Sequence, residues 1–167
     1  MEGLIHPADG GEVAFDQLAL APGARPRVPR IEGIDLAGVF YLRDAADARK
    51  LREALHGAET VVVVGGGFIG LEIAATARLL GKTVTILEAA DRLMGRGVAP
   101  EISRHFLHLH RGWGSDVRLD TPIGKLLGKD GRVIGAETAT GEVIPAEIAV
   151  IGIGVVPNVE LAVDAGL

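Results

Sequence analysis

The stretch Thr60-Val-Val-Val-Val64-Gly-Gly-Gly-Phe-Ile-Gly70 constrains this 167-residue chain more than any other part of it. Five consecutive β-branched residues read as a strand covered on both faces, and the run is too short for a buried helix. It leads straight into glycines. Residues Leu71 to Leu80 then carry helix formers with Glu72 in the first turn, close at Gly81, and give way to a second β run at Thr83–Leu87. Strand, glycine turn, helix, strand is a βαβ unit, so the two strands are parallel.

Composition agrees. Apolar residues make up 48% of the chain, yet there are only four Phe, one Tyr and one Trp. The apolar content is therefore aliphatic, as in strands covered by helices, and an α/β class is favoured over a sandwich. The 24 glycines show no three-residue period, which excludes collagen and low-complexity linkers. Net charge is −5 with the basic residues scattered, giving no footprint for nucleic acid. The longest uncharged runs, Thr60–Leu71 and Ile148–Val159, are too short to span a bilayer, and no signal peptide is read. A soluble, cytoplasmic chain is expected. With no cysteine, disulfides, thiolate metal sites and a CxxC pair are impossible within it, so redox chemistry needs a bound cofactor.

Elsewhere the pattern predicts strands at 12–21 and 38–42, neither with an obvious partner, and a helix over 44–56 capped by Asp44. A further helix is expected over 100–111, then a meander of short strands at 116–119, 122–127, 132–139 and 142–147. A last buried run, Ile148–Gly154, precedes a short helix ending at Gly166. His105, His108 and His110 on the 100–111 helix read as a solvated or half-buried face and not as metal ligands. Trp113 reads as packing over the helix end.

Gly65, Gly67 and Gly70 form GxGxxG between a buried strand and a helix, the context in which that pattern serves a dinucleotide. Gly65 allows the tight turn, Gly67 lets backbone approach a pyrophosphate, and Gly70 lets helix and strand pack closely. The second requirement is an acid at the end of the next strand to hold the adenosine ribose hydroxyls, and Glu88 stands there. A carboxylate there repels a 2′-phosphate, so NADH is favoured over NADPH; Arg92 and Arg96 leave a loop arginine within possible reach of such a phosphate. Gly152 and Gly154 at the end of a buried strand leave backbone exposed where open α/β sheets bind ligands.

Three segments, Val64–Glu72, Glu88–Arg96 and Ile151–Asn158, resemble the NADH domain of FAD-containing ferredoxin reductases. These are the reductases of oxygenase and cytochrome P450 electron-transfer chains, of the putidaredoxin, rhodocoxin and biphenyl dioxygenase type, within the pyridine nucleotide-disulfide oxidoreductase superfamily. The resemblance implies that Gly65, Gly66, Gly67, Phe68, Ile69 and Gly70 hold the pyrophosphate and that Glu88 holds the adenosine ribose. It implies that Arg96 reaches the adenosine side, with Glu72 and the Gly152-Ile153-Gly154 turn near the nicotinamide half. Phe15–Arg27 resembles a stretch of the family's FAD domain with Pro22 in place of a threonine. Tyr41-Leu-Arg43 resembles its flavin-proximal Leu-Arg-Thr, with Asp44 replacing the threonine.

The implied architecture is a Rossmann-like, three-layer NAD(P)-binding domain with a β-meander over residues 46–167, and a partial FAD-domain segment over 1–45. The family's first GxGxxG would lie upstream and its later Gly-Asp motif downstream. The chain is therefore expected to be a central piece of a reductase two to three times its length, not expected to hold FAD alone. The implied activity is hydride transfer from NADH to FAD and single-electron transfer to a ferredoxin-type [2Fe-2S] protein. Two alternatives stay open: a stand-alone dinucleotide-binding module or gene remnant without catalysis, and a flavin reductase with another acceptor.

Overall fold

The computed structural model describes residues 3–167. In chain order its elements are β1 (Gly3–Ile5), β2 (Val13–Phe15), β3 (Ala24–Pro26), β4 (Val39–Phe40), α1 (Ala45–His56), β5 (Thr60–Val64), α2 (Phe68–Leu79), β6 (Thr83–Leu87), α3 (Pro100–Gly112), β7 (Asp116–Arg118), β8 (Ile123–Lys129), β9 (Arg132–Thr138), β10 (Val143–Pro145), β11 (Ile148–Ile151), β12 (Val155–Pro157) and α4 (Glu160–Asp164). Among the described residues no helix is long and apolar enough to cross a membrane.

Packing divides the chain into two compact units, Pro26–Val156 and a smaller one formed by residues 3–25 with Pro157–Leu167. The larger unit is built on a five-stranded parallel sheet of order β4-β11-β5-β6-β7. Because side chains alternate along a strand, the valines of β5 serve two cores. Val61 and Val63 join Val84, Ile86, Ile148 and Val150 under Leu51 and Leu55 of α1, Leu71, Ile73 and Ala74 of α2, and the apolar side of α3. Val62 and Val64 join Leu87, Ala149 and Ile151 against Leu126, Val133 and Ile144 of an antiparallel meander, order β10-β9-β8. Helices, parallel sheet and meander make the expected three layers.

Local chemistry explains the boundaries. Asp44 accepts the N–H groups of Ala46 and Asp47, and Asp47 answers by accepting that of Asp44, a closed capping box at the start of α1. Thus the aspartate that replaces a threonine acts as a cap. The β8–β9 hairpin turns on Asp130 and Gly131, both at positive φ (50° and 77°), the conformation of a tight two-residue turn.

The structure departs from the sequence reading in several places. Helix α2 begins at Phe68, three residues early, because Gly67 is extended and its carbonyl takes the first helical bond from Leu71. The strand expected over 12–21 shrinks to Val13–Phe15, the stretch paired with β1, and no described residue pairs with 16–21. The short strands β1 and β12 lack any pattern that announces them. Residues 116–118 do not join the meander: the crossover through α3 lays β7 beside β6 as the edge of the parallel sheet. The residue 38–42 strand finds its partner far away, in β11.

The two compact units part at Arg25 and Val156. Residues 26–45 pack inside the larger unit: Ala37 donates to Gly131, the Leu126 N–H donates to Glu32, and β4 lies on β11. The smaller unit is laced by polar groups. Asn158 donates through Nδ2 to the Pro22 carbonyl and accepts from Arg25, its backbone N–H donates to Gly23, and Arg25 also meets Glu160 at 2.8 Å.

Candidate functional site

The carboxyl ends of β5, β6 and β11 converge on the glycine turn. Gly65 holds φ +108°, its N–H donates to Leu87 (2.7 Å), and a Cβ there would stand 2.5 Å from the Gly152 carbonyl oxygen. Gly70, in the first turn of α2, lies so close to the Gly65 carbonyl that a Cβ would fall on that oxygen, with Val63 on its other side. The protein itself therefore demands glycine at both positions. Gly67 differs. Its φ of −82° suits any residue, and the nearest atom to a Cβ there is the Gly152 oxygen, 4.0 Å away. Nothing in the chain requires that position to be bare. No side chain caps α2 either, so its first-turn N–H groups and the positive end of its dipole face the same space.

Gly66 is gripped from both sides by the segment after β6. Its N–H donates to Glu88 Oε2 (2.7 Å) and its carbonyl accepts from Met94 (2.9 Å), while a Cβ would meet Leu93. Glu88 is fixed in turn. Its Oε1 accepts the Ala90 N–H (2.8 Å), its own N–H donates to Arg118, and its carbonyl accepts from Thr121. Each carboxylate oxygen keeps lone pairs for further donors, so the half-buried group fits two adjacent hydroxyls. Met94, buried and at φ +51°, is a bulky residue in the left-handed region, the strain of a loop held to a set shape. It carries no sequence signal that would have singled it out as a partner of Gly66.

The remaining candidates spread around this turn. Phe68 (57% exposed) and Ile69 sit on the open side of the α2 start, with the Phe68 ring against Gly97. Glu72 is exposed one turn further on, at the end of a groove between α1 and α2. Gly152 donates to Val64 (2.7 Å), Ile153 packs on the meander-side core, and Gly154 holds φ +106°. Arg96 is exposed, with its Nη2 3.5 Å from where a Cβ on Gly154 would stand. Arg92 is not free for a phosphate: Nη1 donates to the Val98 carbonyl (3.1 Å) and Nη2 to Gly95. Arg43 is exposed, its N–H donating to Asp47.

The histidines separate as helix geometry requires. His105 and His108 are exposed, whereas His110 is 2% exposed, its Nδ1 has no partner among the described residues, and burial pushes its pKa down. The half-exposed Trp113 meets the His110 ring edge-on at 5.1 Å.

A doubly covered parallel sheet, a glycine turn into an uncapped helix and an acid at the neighbouring strand end define a Rossmann-type domain of the dinucleotide-binding class. The chain belongs to the pyridine nucleotide-disulphide oxidoreductase family, whose family model matches residues 3–167. It is 44% identical over 163 residues to rhodocoxin reductase of Rhodococcus erythropolis, covering 98% of this chain and 38% of that protein. Among solved structures, the ferredoxin reductase of the CYP199A2 system from Rhodopseudomonas palustris superposes with a TM-score of 0.90 at 40% identity, over 96% of this chain and 40% of that one. The reductase in the covalent putidaredoxin reductase–putidaredoxin complex does so with a TM-score of 0.88 at 37% identity, over 98% of this chain and 40% of that chain. The chain thus spans about two fifths of the relatives it matches.

Proposed function

We propose that this chain is the NADH-binding part of a cytoplasmic flavoprotein reductase that moves a hydride from NADH to FAD and single electrons onward to a ferredoxin-type [2Fe-2S] protein. One observation carries the reading: Gly67 leaves backbone open at the start of the uncapped helix α2, beside the Gly65 turn and Glu88, where a ligand can touch it. The residues present fit a dinucleotide. The first-turn amides of α2, starting at Phe68 and Ile69, bind the pyrophosphate, and the Glu88 carboxylate accepts from the adenosine ribose hydroxyls. The strand-end turn Gly152-Ile153-Gly154 and Glu72 bound the opposite end, where they orient the nicotinamide and keep water from it.

NADH supplies the hydride and FAD the conversion from two-electron to one-electron transfer; the chain contributes binding and orientation. Residues 46–167 form the nucleotide domain in this reading. Residues 1–45, with Arg43 next to the flavin, belong with the FAD domain. The names of the relatives support the acceptor class, since a putidaredoxin complex is among them. Calorimetric titration of the chain with NADH and NADPH at equal salt tests the reading. Tighter NADH binding is expected, weakened at least about tenfold in Glu88→Ala, which loses the ribose acceptor and frees the Gly66 amide. Binding of neither nucleotide at millimolar concentration would sink it.

A further inference from the structure

Glu88 is not the only carboxylate at the adenosine end. Asp120, exposed just past β7, donates its N–H to the Ala90 carbonyl (3.0 Å), and the next residue, Thr121, donates to the Glu88 carbonyl (2.8 Å). Two such bonds hold 120–121 against the Glu88-Ala-Ala90 strip at strand spacing, roughly 5 Å. Asp120 takes φ +51°, one of three non-glycine residues with positive φ among those described. Asp is one of the few non-glycine residue types that take this conformation readily, and the bond to Ala90 holds it there, so the exposed carboxylate stands beside the Glu88 strip.

Three of the cations nearby are engaged: Arg92 by Val98 and Gly95, Arg118 by Asp116 (2.7 Å) and Glu142 (2.6 Å), and Arg104 by Glu101, while Arg96 is exposed beside Gly154. Asp91, also exposed, adds a further negative charge on the strip. We infer that Asp120 is a specificity-determining residue that rejects a 2′-phosphorylated dinucleotide, acting beside Glu88 by like-charge repulsion. The inference rests on the nucleotide reading above. Its consequence is that removing Glu88 alone does not convert the site to NADPH, because a second carboxylate stays in place.

The test is the ratio of dissociation constants, NADPH over NADH, measured by titration and by competition for the full chain and for Asp120→Asn and Asp120→Gly. Both replacements are at ease at positive φ, so both keep the turn. The ratio is expected to fall about three- to tenfold in each variant at low salt, and the fall to shrink toward nothing near 1 M salt, where charges are screened within about 3 Å. A ratio unchanged in both variants overturns the inference while leaving the nucleotide reading intact, and so does a fall that salt does not remove. If the parent chain binds neither nucleotide, both fall together, and that is seen before any variant is made.

Discussion

Between Thr60 and Val98 the inward-facing side chains of β5, β6 and α2 are covered, with Val62, Val63, Ala74, Ala77 and Ile86 at 0% exposure, while Phe68, Ile69 and Leu79 of α2 face outward. In the small unit of residues 3–25 and 157–167 the same residue types lie open, with Leu4, Val13, Leu161 and Val163 about half exposed or more and Leu167 at 84%. Its order comes from Asn158, Arg25 and Glu160. The first region is fixed by volume, the second by a handful of polar groups. Volume-fixed regions resist change at single atoms, while polar lacing opens locally and at small cost.

Matched glycine substitutions break this contrast most sharply. Gly70→Ala is expected to lose about 3 kcal/mol or more of stability, since the added methyl meets backbone that cannot retreat. Gly166→Ala, with nothing within 4 Å but φ +80°, is expected to cost about 1 kcal/mol. Urea unfolding measures both; equal costs would erase the distinction. Acid probes the covered region next. The His110 pKa is lowered by burial, so the folded state favours the neutral ring. Its contribution is whole above the unfolded value of about 6.5 and is lost as pH falls below that toward the folded pKa. Stability should drop between pH 7.5 and 5.5, and His110→Phe should flatten the drop. Smallest is Asn158→Ala, about 1 kcal/mol or less, read as faster amide exchange within the small unit with the urea midpoint of the whole chain nearly unmoved.

The same contrast explains what could be read from the residues. Wherever one side-chain pattern was answered by a neighbour in sequence, as with Val61–Val64 and α2, or Asp44 and Asp47 at the start of α1, the elements were legible. Residues 12–21 carry a strand-like pattern but, among the described residues, find no partner beyond β1, and a pattern cannot report a missing partner. The edge position of β7 was hidden because it depends on the α3 crossover. At the site, the glycine spacing and Glu88 stood out, whereas Met94 and Asp120 are brought beside it by backbone bonds, which residue identity barely encodes.

The double grip on Gly66 has a consequence for transplantation. Because Glu88 holds its amide and Met94 its carbonyl, the glycine loop and the loop after β6 are one mechanical part made of two stretches of chain. Borrowing either stretch from a relative would leave a donor or an acceptor without its mate. Residues 65–94 are a cassette, to be exchanged whole or left alone.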